Sequence, residues 1–495
     1  MAAQPSQEPT VFHSGTRLVE VEVVVRNQPV RPPGVAEWFA WALDSGPPFG
    51  PPGDMLKGLT KDDFTLLDNG KPQQIAVFRT GSSSSDVKPM VVPPGAVSNR
   101  QDSRGQPLDS ATVVLIDLLN AEFDTTEYAR LGIVKLLRSL GQSDGRVAVY
   151  TLGESLHILH DFNDDPKKLA DLAAKLDQSR RKLPPDLSSA LGDFGDLKDL
   201  GRNEAHAQMT VKAVTLIAQH LSGAPGRKNL IWVFDEPGNA PPPLVASLAA
   251  IVARQSNIVV YPVILRAVSC FSCPPVELDR EHYTRELAAA TGGRAFFDVM
   301  DLPFAVKAAE EDASASYVLG YYPDEETLDG KHHNLTVKIY NKAPDKQTLE
   351  IHYRPGYLAT KTAVPTPSPT PQELFQGPSN SARIGLVGQA TPDKQHPGLY
   401  ELRVTVDLRD IHLDRKDGHV TGAFDLSIPN PSVKGAVKTM AVTVDLTDEH
   451  LDEVLENGGV VTLTGIESES GEIRVVVRDR TTGIAGSLRV PAGKQ

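Results

Sequence analysis

Between residues 111 and 313 the chain alternates unbroken apolar runs with amphipathic stretches, and this order constrains the fold more than any other feature. ATVVLID (111–117), RVAVYTL (146–152), NLIWVF (229–234) and NIVVYPVIL (257–265) have the length of strands. They lack polar alternation, as strands covered on both faces do. Ile133, Leu136, Leu137 and Leu140 recur at helical spacing. Pro166 opens a second helix that buries Leu169, Leu172 and Leu176. Further helical stretches cover 204–221 and lie near 244–255, 279–290 and 302–312, with a strand RAFFDV at 294–299. Residues 178–203 are irregular. Strands alternating with helices imply a mostly parallel, doubly wound sheet, hence an α/β fold. SLHILHDF (155–162) follows RVAVYTL after a tight turn at Gly153-Glu154, so this strand is expected to be antiparallel.

The flanks read differently. TRLVEVEVVVR (16–26) alternates, with Leu18, Val21, Val23 and Val25 on one face. Asp68-Asn69-Gly70-Lys71 is a turn signal between FTLL and QQIAVF, which predicts a hairpin. SASYVLGYY (314–322), HNLTVKIY (333–340) and LEIHYRPGYL (349–358) are strands again. Neither set supplies enough strands for two covered faces, so residues 16–80 and 314–358 are expected to form one β-sandwich with the α/β segment inserted. Residues 81–110, rich in Ser, Pro and Gly, read as a linker, as does the Pro/Thr stretch within 359–380. Short alternating strands from ELRVTVDL to GSLRVP make 381–495 a second sandwich. The resulting order is a disordered leader (1–15), the split sandwich, a linker (81–110), the α/β segment (111–313), a second linker and a C-terminal sandwich. Trp38 and Trp41, in VAEWFAWALDS, form either a helix packed on the first sandwich or a partner patch.

A net charge of −13 argues against a general nucleic-acid binder, which displaces counterions with Lys and Arg. No run of about 18 apolar residues occurs, so no membrane-spanning helix is expected. The opening MAAQPSQEPT lacks the basic and apolar regions of a secretory signal and resembles a mature N-terminus. Export to the cell envelope or periplasm and a cytoplasmic location both stay open. The two cysteines, Cys270 and Cys273, lie in CFSC. A redox dithiol, half a zinc site and a local disulfide are the alternatives, and Pro274 and Pro275 argue against the helix that usually follows a redox pair. No nucleophile elbow, P-loop, HExxH or dinucleotide fingerprint appears. His157 and His160 flank an apolar strand and read as surface or packed residues; His332 and His333 have no evident third partner.

LVEVEVVVR with GLTKDDFTLLDNGKPQQIAVF, VVLIDLLNAEF through NLIWVFDEPG, and YVLGYYPDEETLDGKHHNLTVKIYN with YRPGYL together resemble the von Willebrand factor A-related family abundant in acidobacteria. VVRDRTTGIAGSLRVP resembles the tail of some members. The resemblance implies a type A-like domain with flanking β-sandwiches, export, and binding to a protein partner rather than catalysis. Type A domains hold a divalent cation through a DxSxS motif after the first strand, with a Thr and a second Asp from later loops. Here that position reads Asp117-Leu118-Leu119-Asn120-Ala121, and Asp235 matches the later Asp. With Leu119 and Ala121 in place of the serines, Asp117 and Asp235, joined by Asn120 or Glu122, are expected to bind Mg²⁺ weakly or not at all, since Mg²⁺ demands several hard oxygen ligands. The alternative function is a hydrolase or thiol-redox enzyme centred on the Asp117/Asp235 cleft or the Cys270/Cys273 pair.

Overall fold

The computed structural model describes residues 18–27, 53–81, 90–102, 105–106, 110–119, 127–141, 147–153, 155–162, 164–165, 167–178, 202–221, 224, 226–234, 243–265, 275–297, 302–340, 349–360, 374–375, 380–416, 418–430, 436–468 and 471–492. The fold is mixed α/β, with antiparallel pairing in most sheets and parallel pairing in one. The leader, Trp38, Trp41, Asn120, Ala121, Glu122, Asp235, Cys270 and Cys273 lie outside the described residues.

The N-terminal strands find partners almost 300 residues away. β1 (Val19–Asn27) runs antiparallel between β11 (Tyr317–Tyr321) and β13 (Leu349–Tyr353), and β4 (Val77–Thr80) adds to β11. The second sheet orders β14 (Gly356–Leu358), β12 (His332–Ile339), β2 (Phe64–Asp68) and β3 (Lys71–Gln73). Both sheets feed one core of Val19, Val21, Val23, Val25, Phe64, Leu66, Tyr317, Leu319, Leu335 and Val337. Each buried Val or Leu contributes about 1.5–3 kcal/mol. Asn69 (φ 47°) and Gly70 (φ 80°) turn β2 into β3, as a two-residue hairpin requires. The hairpin is shorter than the sequence suggests. After Gln73 the chain leaves for the other sheet, burying Ile75 on the way and pairing β4 with β11.

In the middle segment, β6 (Ser110–Asp117), β7 (Val147–Leu152), β8 (Leu156–His160), β9 (Arg227–Phe234) and β10 (Ile258–Ile264) form one sheet in the order β10-β9-β6-β7-β8. The first three pairings are parallel. β8 is antiparallel to β7, as its short turn demands. Alternate side chains leave opposite faces. Val114, Ile116, Val149, Ile231 and Val233 meet α1 (Glu127–Leu140), α2 (Lys167–Gln178) and α6 (Leu302–Ser314). Val113, Leu115, Tyr150, Leu230, Trp232 and Phe234 meet α3 (Arg202–Leu221), α4 (Pro243–Gln255) and α5 (Pro275–Thr291). The expected strand at 294–299 is reduced to a single parallel bridge between Phe296 and Val263, and 298–299 lie outside the described residues.

The C-terminal core is shared by two sheets. One orders β20 (Gly459–Glu467), β16 (Leu399–Val406), β15 (Leu386–Pro392) and β5 (Val97–Ser98). The other joins β17 (Asp414–Lys416), β18 (His419–Pro429), β21 (Glu472–Asp479) and β22 (Ala485–Pro491), with β19 (Val437–Thr447) also on β18. Gly388 lets β15 approach β22: a Cβ there would lie 2.4 Å from Val490 Cγ2. α7 (Asp448–Asn457), which the strand pattern did not foretell, joins β19 to β20.

The linker reading of 81–110 is corrected for 90–102. β5 extends the sheet through β15. Asn99 Nδ2 donates to the carbonyls of Ser381 (2.8 Å) and Ile384 (2.9 Å), and its Oδ1 accepts from the Leu386 amide (2.8 Å). Arg100 pairs with Asp407 (3.2 Å) and Asp410 (2.9 Å). Polar side chains satisfying distant backbone leave no hydrophobic period in the sequence, which is why a loop reading fitted. The second linker also docks at its end, where Leu374 packs on Val476 and Ala485.

Candidate functional site

Parallel strands bring their carboxyl ends to one edge, where open α/β sheets bind ligands. Asp117 closes β6 at that edge, but it is fully buried. Its Oδ2 accepts a hydrogen bond from Trp232 Nε1 at 3.1 Å. Trp232 is also fully buried and packs on Phe234 at 5.2 Å, so its indole N–H needs an internal acceptor. The next two residues turn inward to opposite cores, Leu118 into the one shared with α1, α2 and α6 and Leu119 into the one shared with α3, α4 and α5. An Mg²⁺ site needs several oxygen donors with room for water or a partner carboxylate. Among the described residues this edge supplies one such carboxylate, Asp117, followed by two core leucines; Asn120, Glu122 and Asp235, the other positions expected there, lie outside the described residues. Among the described residues no group of three or more His, Cys, Asp or Glu is placed to hold a metal.

Chemistry-bearing side chains gather instead where the sheets meet. Arg26 of β1, 1% exposed, donates to Asp312 Oδ1 of α6 through Nε (2.9 Å) and Nη2 (2.6 Å). The Tyr261 hydroxyl donates to Asp312 Oδ2 (2.9 Å) and accepts from Arg227 Nη2 (2.9 Å). Arg227 also pairs with Glu22 of β1 at 3.1 Å. Burial works against the Arg227 charge, but Glu22, Tyr261 and Asp312 outweigh it and raise its pKa. The N-terminal sheets are thus tied to the α/β layer by a continuous buried ion network. Neither the alternating Val run ending in Arg26 nor the acidic helix end holding Asp312 signals it in sequence.

The histidines separate. His333 is buried: its Nδ1 lies 2.8 Å from Asp68 Oδ1, and Asp68 Oδ2 accepts from the hydroxyls of Tyr321 (2.7 Å) and Tyr357 (2.9 Å). Burial, then hydrogen bonds to Tyr357 and Asp68, hold the Tyr321 hydroxyl far above its usual range. This cluster ties four strands together. His332, next in line, faces outward. His160 is buried, and burial lowers its pKa. His157 is partly exposed, its Nε2 2.7 Å from Ser155 Oγ. A nucleophile–base pair needs a third group to orient the base, and among the described residues no carboxylate serves His157.

At the other interface, His220 of α3 stacks on Phe162 (5.7 Å, 2° between planes), lies 3.3 Å from Asp161 and contacts the Asn380 carbonyl. Burial opposes the Asp161 carboxylate, yet its contacts with His220 prevail and hold its pKa below the usual value.

No family model and no curated protein matches the chain. Among solved structures it is similar to an aerotolerance-related membrane protein of Bacteroides fragilis NCTC 9343, at 14% identity over 41% of this chain and 98% of that one, with a TM-score of 0.26. It is similar to the manganese-loaded TRAP protein of Plasmodium vivax, at 12% identity over 52% of this chain and 94% of that one, with a TM-score of 0.27. It is also similar to the pilus adhesin SpaC of Lactobacillus rhamnosus GG, at 10% identity over 86% of this chain and 58% of that one, with a TM-score of 0.27. TM-scores this low carry no argument about the site. Among the described residues no helix is long and apolar enough to cross a membrane.

Proposed function

We propose that the chain is an exported, non-enzymatic binding protein that presents the carboxyl edge of its central sheet to a protein partner without relying on a metal. The observation that carries this reading is the commitment of Asp117 to Trp232. The carboxylate at the position where a type A domain would anchor its cation serves the fold instead. The strand order β10-β9-β6-β7-β8, with three parallel pairings, one antiparallel edge and helices on both faces, supports a doubly wound, type A-like domain at 111–313. The pairing of β1 with β11 and β13 supports its insertion into a sandwich of 16–80 and 314–358. In this reading the loops after β6, β9 and β10 form the contact surface, and Asp235 and a Cys270–Cys273 disulfide contribute to its rim. Oxidising compartments retain such bonds.

The test is capture from the native envelope fraction by the full chain, beside a variant carrying Asp235→Lys with Cys270→Ser and Cys273→Ser. The wild type should retain a saturable partner and the variant should lose it. Equal capture by both would remove the contact from this edge. Two free thiols in protein from its native compartment would remove the disulfide. Hydrolysis or thiol exchange that depends on Asp235 or Cys270 would favour the enzymatic alternative.

A further inference from the structure

The N-terminal sheets and the α/β layer meet a second time, at the end of α4. Arg254 lies in its last turn, and the Arg254 carbonyl accepts from Arg354 Nη1 at 3.0 Å. Arg354 stands in the short connection between β13 and β14. His332 opens β12, and its Nε2 contacts Arg254 Nη2. Gly356 backs the imidazole: a Cβ there would lie 2.5 Å from His332 Cε1. Three cationic or protonatable groups, from a helix, a turn and a strand, therefore converge on one place held by backbone.

The surroundings of this cluster differ from those of the interface network. There Arg26 and Arg227 each face a carboxylate. Here, among the described residues, none of the three has an acidic partner. Burial destabilises the Arg254 charge; burial and then Arg254 destabilise that of Arg354; burial and then Arg254 and His333 destabilise protonated His332. In a chain of net charge −13, a half-open group of two guanidiniums and an imidazole with no acidic partner among the described residues calls for an anion from outside.

We propose that Arg254, Arg354 and His332 bind a phosphate group. Guanidinium forks match phosphate oxygens in geometry as well as charge. Two of them match the charge of a phosphate dianion better than that of a single carboxylate ligand. Arg354 is anchored to the end of α4, so it is held in place before the ligand arrives. Exposed His332 and partly exposed Arg254 leave one side open to solvent. The phosphate comes either as the free anion or as a monoester carried by another molecule.

Calorimetric titration of the full chain with inorganic phosphate and, separately, with O-phosphoserine, at constant ionic strength set by chloride, tests the proposal. Saturable binding of at least one is expected, weakened about tenfold or more by Arg254→Gln, the loss that removing one charged hydrogen-bond donor produces. His332→Gln should also weaken it, and Arg254→Lys should fall between, because it keeps the charge without the fork. Tighter binding of O-phosphoserine assigns the site to an ester; tighter binding of inorganic phosphate assigns it to the free anion. Circular dichroism checks the fold of each variant, and exposed His332 supplies the test should Arg254→Gln unfold. No saturable binding by the wild type, or wild-type affinity in folded Arg254→Gln or His332→Gln, would overturn the proposal.

Discussion

Replacing Asp312 by alanine removes the acceptor on which both sides of the first interface converge. Its Oδ1 takes Arg26 Nε at 2.9 Å and Nη2 at 2.6 Å, and its Oδ2 takes the Tyr261 hydroxyl at 2.9 Å. Arg26 would stay buried, left with the carbonyls of Gly53 (3.0 Å) and Ala308 (3.4 Å) and with Glu311 at 3.5 Å. The Glu311 side chain is 44% exposed, so it compensates little. Removing one partner of a buried pair costs about 3–5 kcal/mol, because the remaining charge stays desolvated. An exposed pair would cost about 1 kcal/mol or less. Arg26→Met should cost a similar amount to Asp312→Ala. The double variant Arg26→Met/Asp312→Ala should recover part of the loss, since it no longer strands Arg26, although Arg294 still loses Asp312 at 4.0 Å. Urea unfolding of the four chains, followed by far-ultraviolet circular dichroism, closes the cycle. Losses of about 3–5 kcal/mol are large against a domain stability of about 5–15 kcal/mol and would be plain in the midpoints. Single losses near 1 kcal/mol, or a double variant as unstable as the sum of the singles, would refute the buried-network account.

Three further outcomes are expected. Trp232→Phe removes the indole N–H that Asp117 Oδ2 accepts in the core and should destabilise by about 1–3 kcal/mol; an unchanged urea midpoint would deny the indole its role. Asn99→Ala leaves three carbonyls and the Leu386 amide without their side-chain partner and should cost about 2 kcal/mol or more. Hydrogen exchange should then speed up along β15, and unchanged protection there would contradict the docking of 90–102. Burial keeps His160 neutral in the folded chain below its usual 6.5. The unfolded chain binds that proton first, so the stability contribution is full above pH 6.5 and is lost as pH falls toward the lowered folded value. His160→Gln should therefore lose less stability than the wild type between neutral pH and the lowered value, and equal or steeper loss in the variant would reject the assignment.

What the sequence made legible was burial on one or two faces. β6, β7, β9 and β10 are buried along nearly their whole length, and an unbroken apolar run is the imprint of that condition. The antiparallel edge was readable because only a tight turn separates β7 from β8. Polar contacts made across the chain left no such imprint. Arg26 looks like the solvated end of a strand until α6 brings Asp312 to it. Asn99 looks like loop until it meets the backbone of Ser381 and Ile384. Asp117 was legible as a strand-end carboxylate, but its commitment to Trp232 depends on the placement of β9 beside β6. α7 had a local signal: Thr447 at the N-cap, Asp448 and Glu449 in the first turn, and Gly458 (φ 81°) closing the end.

The central claim is partner binding through the carboxyl edge of the sheet without a metal. Its most direct test is the affinity of the captured envelope partner, measured on the full chain with Mg²⁺ and again with a chelator in excess. The same affinity in both is the predicted result, because Asp117 is committed to Trp232 and the two residues after it are core leucines. Loss of binding in chelator, restored by Mg²⁺ and abolished by Asp117→Ala, would contradict it.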